Sequence, residues 1–440
     1  MRKNNILNWI KLSSFIFALS SLFASCSNEL DETLQSVNKG NLQFVVGDFP
    51  AFGEGTQIRV IGTQDEGKTA WADGDKILVH LYSQKYGDQA VTLTFDAENN
   101  TWESDGGTLS YLENETPTIT VVYAPDCEIK SDKTIGLLEG KQYGEAEYIP
   151  AKTTISGNTL DIRFESGRTY SRLRIAGLAN QTLTVTTTDF TPAGATEVAT
   201  DAYTLTTDNN GNAFLHGVFA EDATVIVKQG NVVLKDYTFT AEKNPNGTEH
   251  NKSYALDATP VIDGTLGGKA TATEDDITAL VKQLKEYVDN GITTIIVPGS
   301  QPATIDMGLW INTAIGEAIY RLSKEESYDG KIDLILPDVT EIVDQEFNGA
   351  HALNSINLPK VTTVGDGAFY DCQYLEELTF GSVVTAINHN TRAEFHRVGE
   401  KVEGCDLILN REQVNAEADY QPNIETRTWW NTEWKSITLK

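Results

Sequence analysis

The sequence predicts a mainly β protein: two consecutive β-sandwiches followed by a short α/β repeat solenoid with flanking helices. Three observations carry this reading. Apolar residues alternate with polar ones in run after run between Leu42 and Phe239, the period of a strand with one face buried. Turn formers are frequent, with 35 Gly and 12 Pro in 440 residues. In the C-terminal third, leucines and aromatics return every 22 positions, the mark of stacked structural repeats. The formal charge of −29, from 34 Lys+Arg against 63 Asp+Glu, repels phosphate backbones and anionic lipid, so nucleic-acid binding is excluded.

The segment from Met1 to Ser25 reads as an export signal. Arg2, Lys3 and Lys11 precede an apolar stretch, Leu12 to Phe23, too short to span a bilayer and closed by Ala24 and Ser25 before Cys26. Phe23-Ala24-Ser25-Cys26 resembles a bacterial lipobox, which implies that the Cys26 thiol is lipidated and anchors the mature chain in the outer membrane. Residues 26–36 form an acidic tether, of the kind seen on lipoproteins that face the exterior.

Residues 37–158 are expected to form the first sandwich. Its strands include Leu42 to Val46, Ile77 to Tyr82, Val91 to Phe95 and Ile119 to Tyr123, separated by Asp-, Asn- and Gly-rich turns. Asp73-Gly74 makes a tight turn between Trp71, a large anchor, and the strand that starts at Ile77. The second sandwich, residues 159–260, takes Leu160 to Phe164, Leu173 to Ile175, Leu183 to Val185, Val225 to Val227 and Tyr237 to Phe239. Asp208 to Asn212 reads as a hairpin turn rather than a calcium loop, because its glycine comes too early for an EF-hand.

Three segments carry a resemblance: Thr69 to Ile77 with its W-x-x-G-D-x-I core, Phe95 to Trp102, and Asn251 to Leu256. Together they are similar to the fimbrillin family of Bacteroides-group surface lipoproteins, over about residues 37–260. The resemblance implies pilus subunits or related adhesins, assembled by strand donation after cleavage near the N-terminus, usually at an arginine. Between Cys26 and Leu42 there is no arginine, and the next one along the chain is Arg59.

Residues 261–272, rich in glycine, read as a linker. Thr273 then caps a helix, with Asp276 three residues on and Ile277, Leu280, Val281, Leu284 and Val288 on one face before Gly291. A second helix near residues 309–322 turns Ile311, Ile315, Ala318, Ile319 and Leu322 inward. Within 273–440, Leu334, Ile356 and Leu378 are 22 apart, as are Leu336, Leu358 and Phe380, and so are Phe347 and Phe369. The unit from Leu358 to Leu378 resembles the leucine-rich repeat of BspA-like surface antigens. That resemblance implies one short strand and one turn per repeat, with Phe347 and Phe369 stacked as core rungs. Ile295 to Pro298 reads as an earlier repeat, and Leu407 to Leu409 and Ile437 to Leu439 as two later ones.

No catalytic pattern emerges: H-E-x-x-H and G-x-S-x-G are absent, and His351, His389 and His396 read as surface or packing residues. No enzyme activity, cofactor or metal site is expected. Cys372 and Cys405 read as buried thiols. If Leu334/Leu336 and their repeats point inward, the residues between and before them must point out. Two outward columns follow: Asp333, Ser355, Glu377, Asp406 and Ser436, and beside them Ile335, Asn357, Thr379, Ile408 and Thr438. The expected function is a lipid-anchored surface adhesin whose sandwiches form a stalk. Asp333, Ile335, Ser355, Asn357, Glu377, Thr379, Asp406 and Ile408 would contact a host or bacterial surface protein or glycan. Two other readings are a pilus subunit or tip contacting other pilus subunits, and a glycan-binding lipoprotein of a polysaccharide-uptake system, using Tyr420, Trp429, Trp430 and Trp434 as stacking platforms.

Overall fold

The structure is a computed structural model. It describes residues 38–39, 42–50, 68–112, 114–164, 168–198, 202–240, 242, 247–299, 303–304, 313–388 and 395–440. The sequence expectations for the export signal, Cys26, the tether, Arg59, Ile311 and His389 lie outside them. The chain is mainly β, and no helix among the described residues is long and apolar enough to cross a membrane.

The first sandwich packs two sheets on one core. Five strands run in the order Ile149–Pro150, Thr118–Tyr123, Lys76–Ser83, Gly87–Asp96, Thr101–Ser104. The alternation read in the sequence puts Ile77, Val79, Leu81, Val91 and Leu93 inside, all fully buried. Gly74 takes φ +78°, which a side chain would resist, and the turn closes where the Asp75 amide donates to the Ala72 carbonyl at 3.0 Å. Trp71, half-buried, donates from Nε1 to the Gly47 carbonyl at 2.9 Å and meets Phe49 and Trp102 edge-on, each at 4.9 Å.

The boundary between the sandwiches differs from the sequence expectation. The strand Thr159–Arg163 turns back on Lys152–Ser156 and pairs in parallel with Gln43–Val46, so Leu160, Ile162 and Phe164 fill the first core rather than the second. Its period-two pattern suits either sandwich. The partner that decides between them comes from the far N-terminal end of the sandwich.

The second sandwich sets the sheet Phe190–Pro192, Asn212–Phe219, Ser171–Ala176, Ser253–Asp257 against the sheet Ala202–Thr206, Thr182–Thr187, Thr224–Gln229, Val232–Thr238. Phe219 stacks between Phe190 and Phe239, at 4.3 and 4.9 Å, in the middle of this core. Asp208 Oδ1 accepts from the amides of Asn210 and Asn212, at 2.8 and 2.9 Å. The turn so formed joins strands of two different sheets, not the arms of a hairpin as expected, because the flanking strands part company at Thr207.

The expected linker is also structural. Val261 bridges to Ile296, Thr271–Ala272 pairs in parallel with Ala303–Thr304, and Ile262 and Ala272 are fully buried in the solenoid core. Helix α1, Glu274–Asp289, starts with a reciprocal capping box between Thr273 and Asp276. It buries Ile277, Leu280, Leu284 and also Tyr287, while Val281 and Val288 are only partly covered. Helix α2, Ala314–Leu322, is capped by Thr313 and buries Ile315, Ala318, Ile319 and Leu322.

Six parallel strands form the spine of the solenoid: Thr294–Ile296, Ile332–Ile335, Leu353–Leu358, Glu377–Phe380, Asp406–Leu409 and Ser436–Leu439. Phe347 and Phe369 stack at 5.7 Å as expected, and Phe395 adds a third rung at 5.8 Å. A hairpin tip of the second sandwich docks on the end of α1: Gln229 Nε2 donates to the Gly291 carbonyl at 3.0 Å and the Asn231 amide to Asn290 Oδ1 at 2.8 Å. Val232 of the sandwich enters the solenoid core, so the two units are joined through shared apolar contacts.

Candidate functional site

The solenoid sheet places the two outward columns in register. Asp333 pairs with Ser355, Ser355 with Glu377, Glu377 with Asp406 and Asp406 with Ser436; Ile335, Asn357, Thr379, Ile408 and Thr438 follow in the same way. Leu334, Leu336, Ile356, Leu358, Leu378 and Phe380 point the other way and are buried. The strand Thr294–Ile296 pairs with Ile332–Ile335 and lengthens the columns by Thr294 and Ile296. At ~4.8 Å between neighbours, six strands span about 24 Å.

Several side chains on this face are held rigidly. Asp333 Oδ1 accepts from Asn354 Nδ2 at 2.8 Å and from Ser355 Oγ at 2.7 Å. Asp406 accepts from Ser436 Oγ at 2.7 Å and pairs with Lys435 at 3.2 Å, which holds that ammonium above its usual pKa. Glu377 and Asn357 are exposed, and the Thr379 hydroxyl donates to Glu377 at 3.2 Å. The result is a preorganised row of carboxylates beside a neutral column.

One predicted contact residue is not available on this face. Ile408 is 7% exposed and so buried, against the expectation of an exposed apolar position; Ile335 is half-buried. A period of two says which way a side chain leaves the strand, but burial also depends on what covers that face. Asp333, Ser355, Thr379 and Asp406 are half-buried.

Two of the four expected stacking residues, Trp429 and Trp434, are not available as platforms, whereas Tyr420 and Trp430 are half-buried. Trp429 and Trp434 are 1% and 2% exposed. They pack on Phe395 at 5.7 and 5.3 Å, and their indole N–H groups go to the carbonyls of Tyr420 and Trp429. Trp430 lies flat on Tyr420, ring centroids 5.2 Å apart. These residues close the last turn of the solenoid, the burial such large rings seek at an open core end.

The other singled-out groups have structural partners. Cys372 Sγ donates to the Phe347 carbonyl at 3.0 Å; it and Cys405 are buried free thiols, their pKa values pushed up chiefly by burial. His351 stands 3.5 Å from Asp371, and the His396 ring lies against Tyr370. Asp276 serves the start of α1. Among the described residues no cluster of His, Cys, Asp and Glu could hold a metal ion.

Comparison with known proteins agrees with the geometry of the repeats. Residues 331–397 match the BspA type leucine rich repeat region. Among solved structures, the chain is similar to a candidate cell adhesion protein from Bacteroides fragilis, at 12% identity and a TM-score of 0.27, over 50% of this chain and 92% of that one. It is also similar to a fimbrial protein from Bacteroides ovatus, at 9% identity and a TM-score of 0.24, over 50% of this chain and 49% of that one. No curated protein matches the chain.

Proposed function

We propose that this chain is a lipid-anchored surface adhesin that binds its partner through the outward face of the solenoid sheet. The observation that carries the reading is the register of six parallel strands, which lines Asp333, Glu377 and Asp406 into one acidic row beside Ile335, Asn357 and Thr379. An open solenoid offers its sheet as an extended binding surface. A carboxylate row held by Asn354, Ser355 and Ser436 suits a protein partner that presents lysine or arginine side chains. The two sandwiches act as the stalk, and Cys26 carries the lipid that holds the chain on the outer membrane, facing the exterior.

Adhesion of bacteria displaying the full chain, scored on immobilised host matrix proteins and on partner bacteria, tests the face. The double variant Asn357→Arg/Glu377→Arg should lose adhesion by tenfold or more with an unchanged melting temperature; undiminished adhesion refutes the assignment. Anchoring is tested separately: Cys26→Ser should release the protein from the membrane fraction, and equal retention would sink that part of the reading.

A further inference from the structure

The solenoid sheet is finished at one edge and open at the other. Beyond Thr294–Ile296 the chain covers the edge itself: the Ile296 amide donates to the Pro260 carbonyl at 3.1 Å and the Ile262 amide to the Ile296 carbonyl at 2.9 Å. Beyond Ser436–Leu439 no further strand follows among the described residues. The Lys440 amide donates to the Leu409 carbonyl at 3.0 Å, and the Lys440 carbonyl accepts from the Arg411 amide at 2.8 Å. Main-chain groups turn to alternate sides along a strand. Ser436 and Thr438 therefore bond to Asp406–Leu409 as Lys440 does, and the N–H and C=O groups of Ile437 and Leu439 face the free edge. No other described residue bonds to them.

An open edge is a template for another strand, and proteins blunt it with proline, a bulge or an unpaired charge. Ser436-Ile437-Thr438-Leu439 contains no proline, its register with Asp406–Leu409 is unbroken, and the flanking Lys435 is already paired with Asp406. The turn of chain that leads into this strand also leaves two large apolar side chains in solvent, Val414 at 40% and Ile424 at 43% exposure.

We propose that this edge is the contact surface for a second copy of the chain, joined antiparallel through Ser436–Leu439 about a two-fold axis normal to the sheet. The strand is complementary to itself in that arrangement. Ile437 of one copy and Leu439 of the other form a bonded pair, each donating its amide and accepting at its carbonyl, and the axis repeats the pair. Thr438 then faces Thr438 of the second copy, a favourable cross-strand pair. Lys440, which is exposed, comes opposite Ser436 of the second copy, whose hydroxyl is held 2.7 Å from Asp406. Its ammonium therefore meets that carboxylate, a local attraction between chains whose net charge of −29 otherwise repels. An axis normal to the sheet keeps both outward faces on one side, so the row of carboxylates continues from one copy into the other. The covered edge at Thr294–Ile296 stops growth at the dimer.

The test uses the purified full chain with Cys26→Ser, which removes that thiol and any lipid on it. Sedimentation should show a concentration-dependent dimer. Thr438→Cys should be trapped as a disulfide-linked dimer under mild oxidation, because unbonded antiparallel partners stand ~4.5 Å apart at Cα, within disulfide reach. Asn357→Cys, also exposed but on the inner strand Leu353–Leu358, should not be trapped. Leu439→Pro removes an edge-facing donor and leaves the bonds to Asp406–Leu409 in place, and it should weaken the dimer at least tenfold. Lys440→Glu, which sets a carboxylate against Asp406 without touching the core, should do the same. The proposal is overturned if the chain sediments as a monomer at every concentration, which would leave the edge to a strand of another protein. It is equally overturned if Asn357→Cys is trapped as readily as Thr438→Cys, or if neither Leu439→Pro nor Lys440→Glu weakens the dimer.

Discussion

Phe369 is the middle rung of the solenoid, and its removal is the sharpest test of how the repeats are held. The ring is fully buried, stacked on Phe347 at 5.7 Å and Phe395 at 5.8 Å. Truncation of a buried Phe to Ala costs about 3–5 kcal/mol. Phe369→Ala should fall at the upper end, because each stacked pair adds about 0.5–1.5 kcal/mol beyond burial and the neighbours cannot close the gap. Phe347 is fixed in its own repeat, and Phe395 is wedged at 5.7 Å from Trp429 and 5.3 Å from Trp434. Phe369→Leu, which keeps most of the volume, should cost less than half as much. Hydrogen-exchange mass spectrometry on the full chain reads the effect locally and avoids a single transition for a chain with several cores. Protection should drop across Ile332–Ile335, Leu353–Leu358 and Glu377–Phe380 while Lys76–Ser83 in the first sandwich stays unchanged. A loss well under the ordinary cost of such a truncation, or one shared equally by the first sandwich, refutes the stacked-rung account.

Glu346 is buried against the start of α2, accepting from Thr313 Oγ1 at 3.1 Å and the Val343 amide at 3.0 Å, and burial pushes its carboxyl up to about 7. Since the folded state favours the protonated acid, the native chain should lose stability as pH rises from about 4.5 to about 7. Glu346→Gln should remove that slope by ~3 kcal/mol in pH-dependent denaturation; parallel curves would refute it. Thr273→Ala breaks the capping box of α1 and should lower the stability of the solenoid by about 1 kcal/mol, with faster exchange confined to the first turn of the helix. Cys372 and Cys405 should resist a thiol reagent in the native protein and react on denaturation, whereas Cys127, at 9% exposure and pushed up to about 11, should be the first of these three to be labelled. Fast native labelling of Cys372 would show that the repeat core opens.

Much of the solenoid was legible in the sequence because its contacts are nearly local. The constant repeat length places Leu334, Ile356 and Leu378 on successive strands and sends Asp333, Ser355 and Glu377 to the other face, whatever the rest of the chain does. Thr273 and Asp276 are three apart, so the helix start was equally readable. The third rung was hidden by spacing, since Phe395 follows Phe369 at a longer interval than Phe369 follows Phe347. Other features were settled only by the assembled chain. Thr159–Arg163 has a strand pattern that fits either sandwich, and its parallel partner Gln43–Val46 assigns it to the first. The same holds for Ile262, whose neighbours in the sequence are those of a loop but whose side chain is buried in the solenoid core. Ile408 occupies an outward register position and is nevertheless buried, and Trp429 and Trp434 close a core end instead of facing a ligand. A cleft lined by Tyr123 and Asp126 of the first sandwich and by Thr204 and Phe214 of the second likewise exists only because the two units meet. Periodicity along a chain fixes the direction in which each side chain leaves the backbone; what it meets there depends on residues brought from far away, and only tertiary packing supplies them.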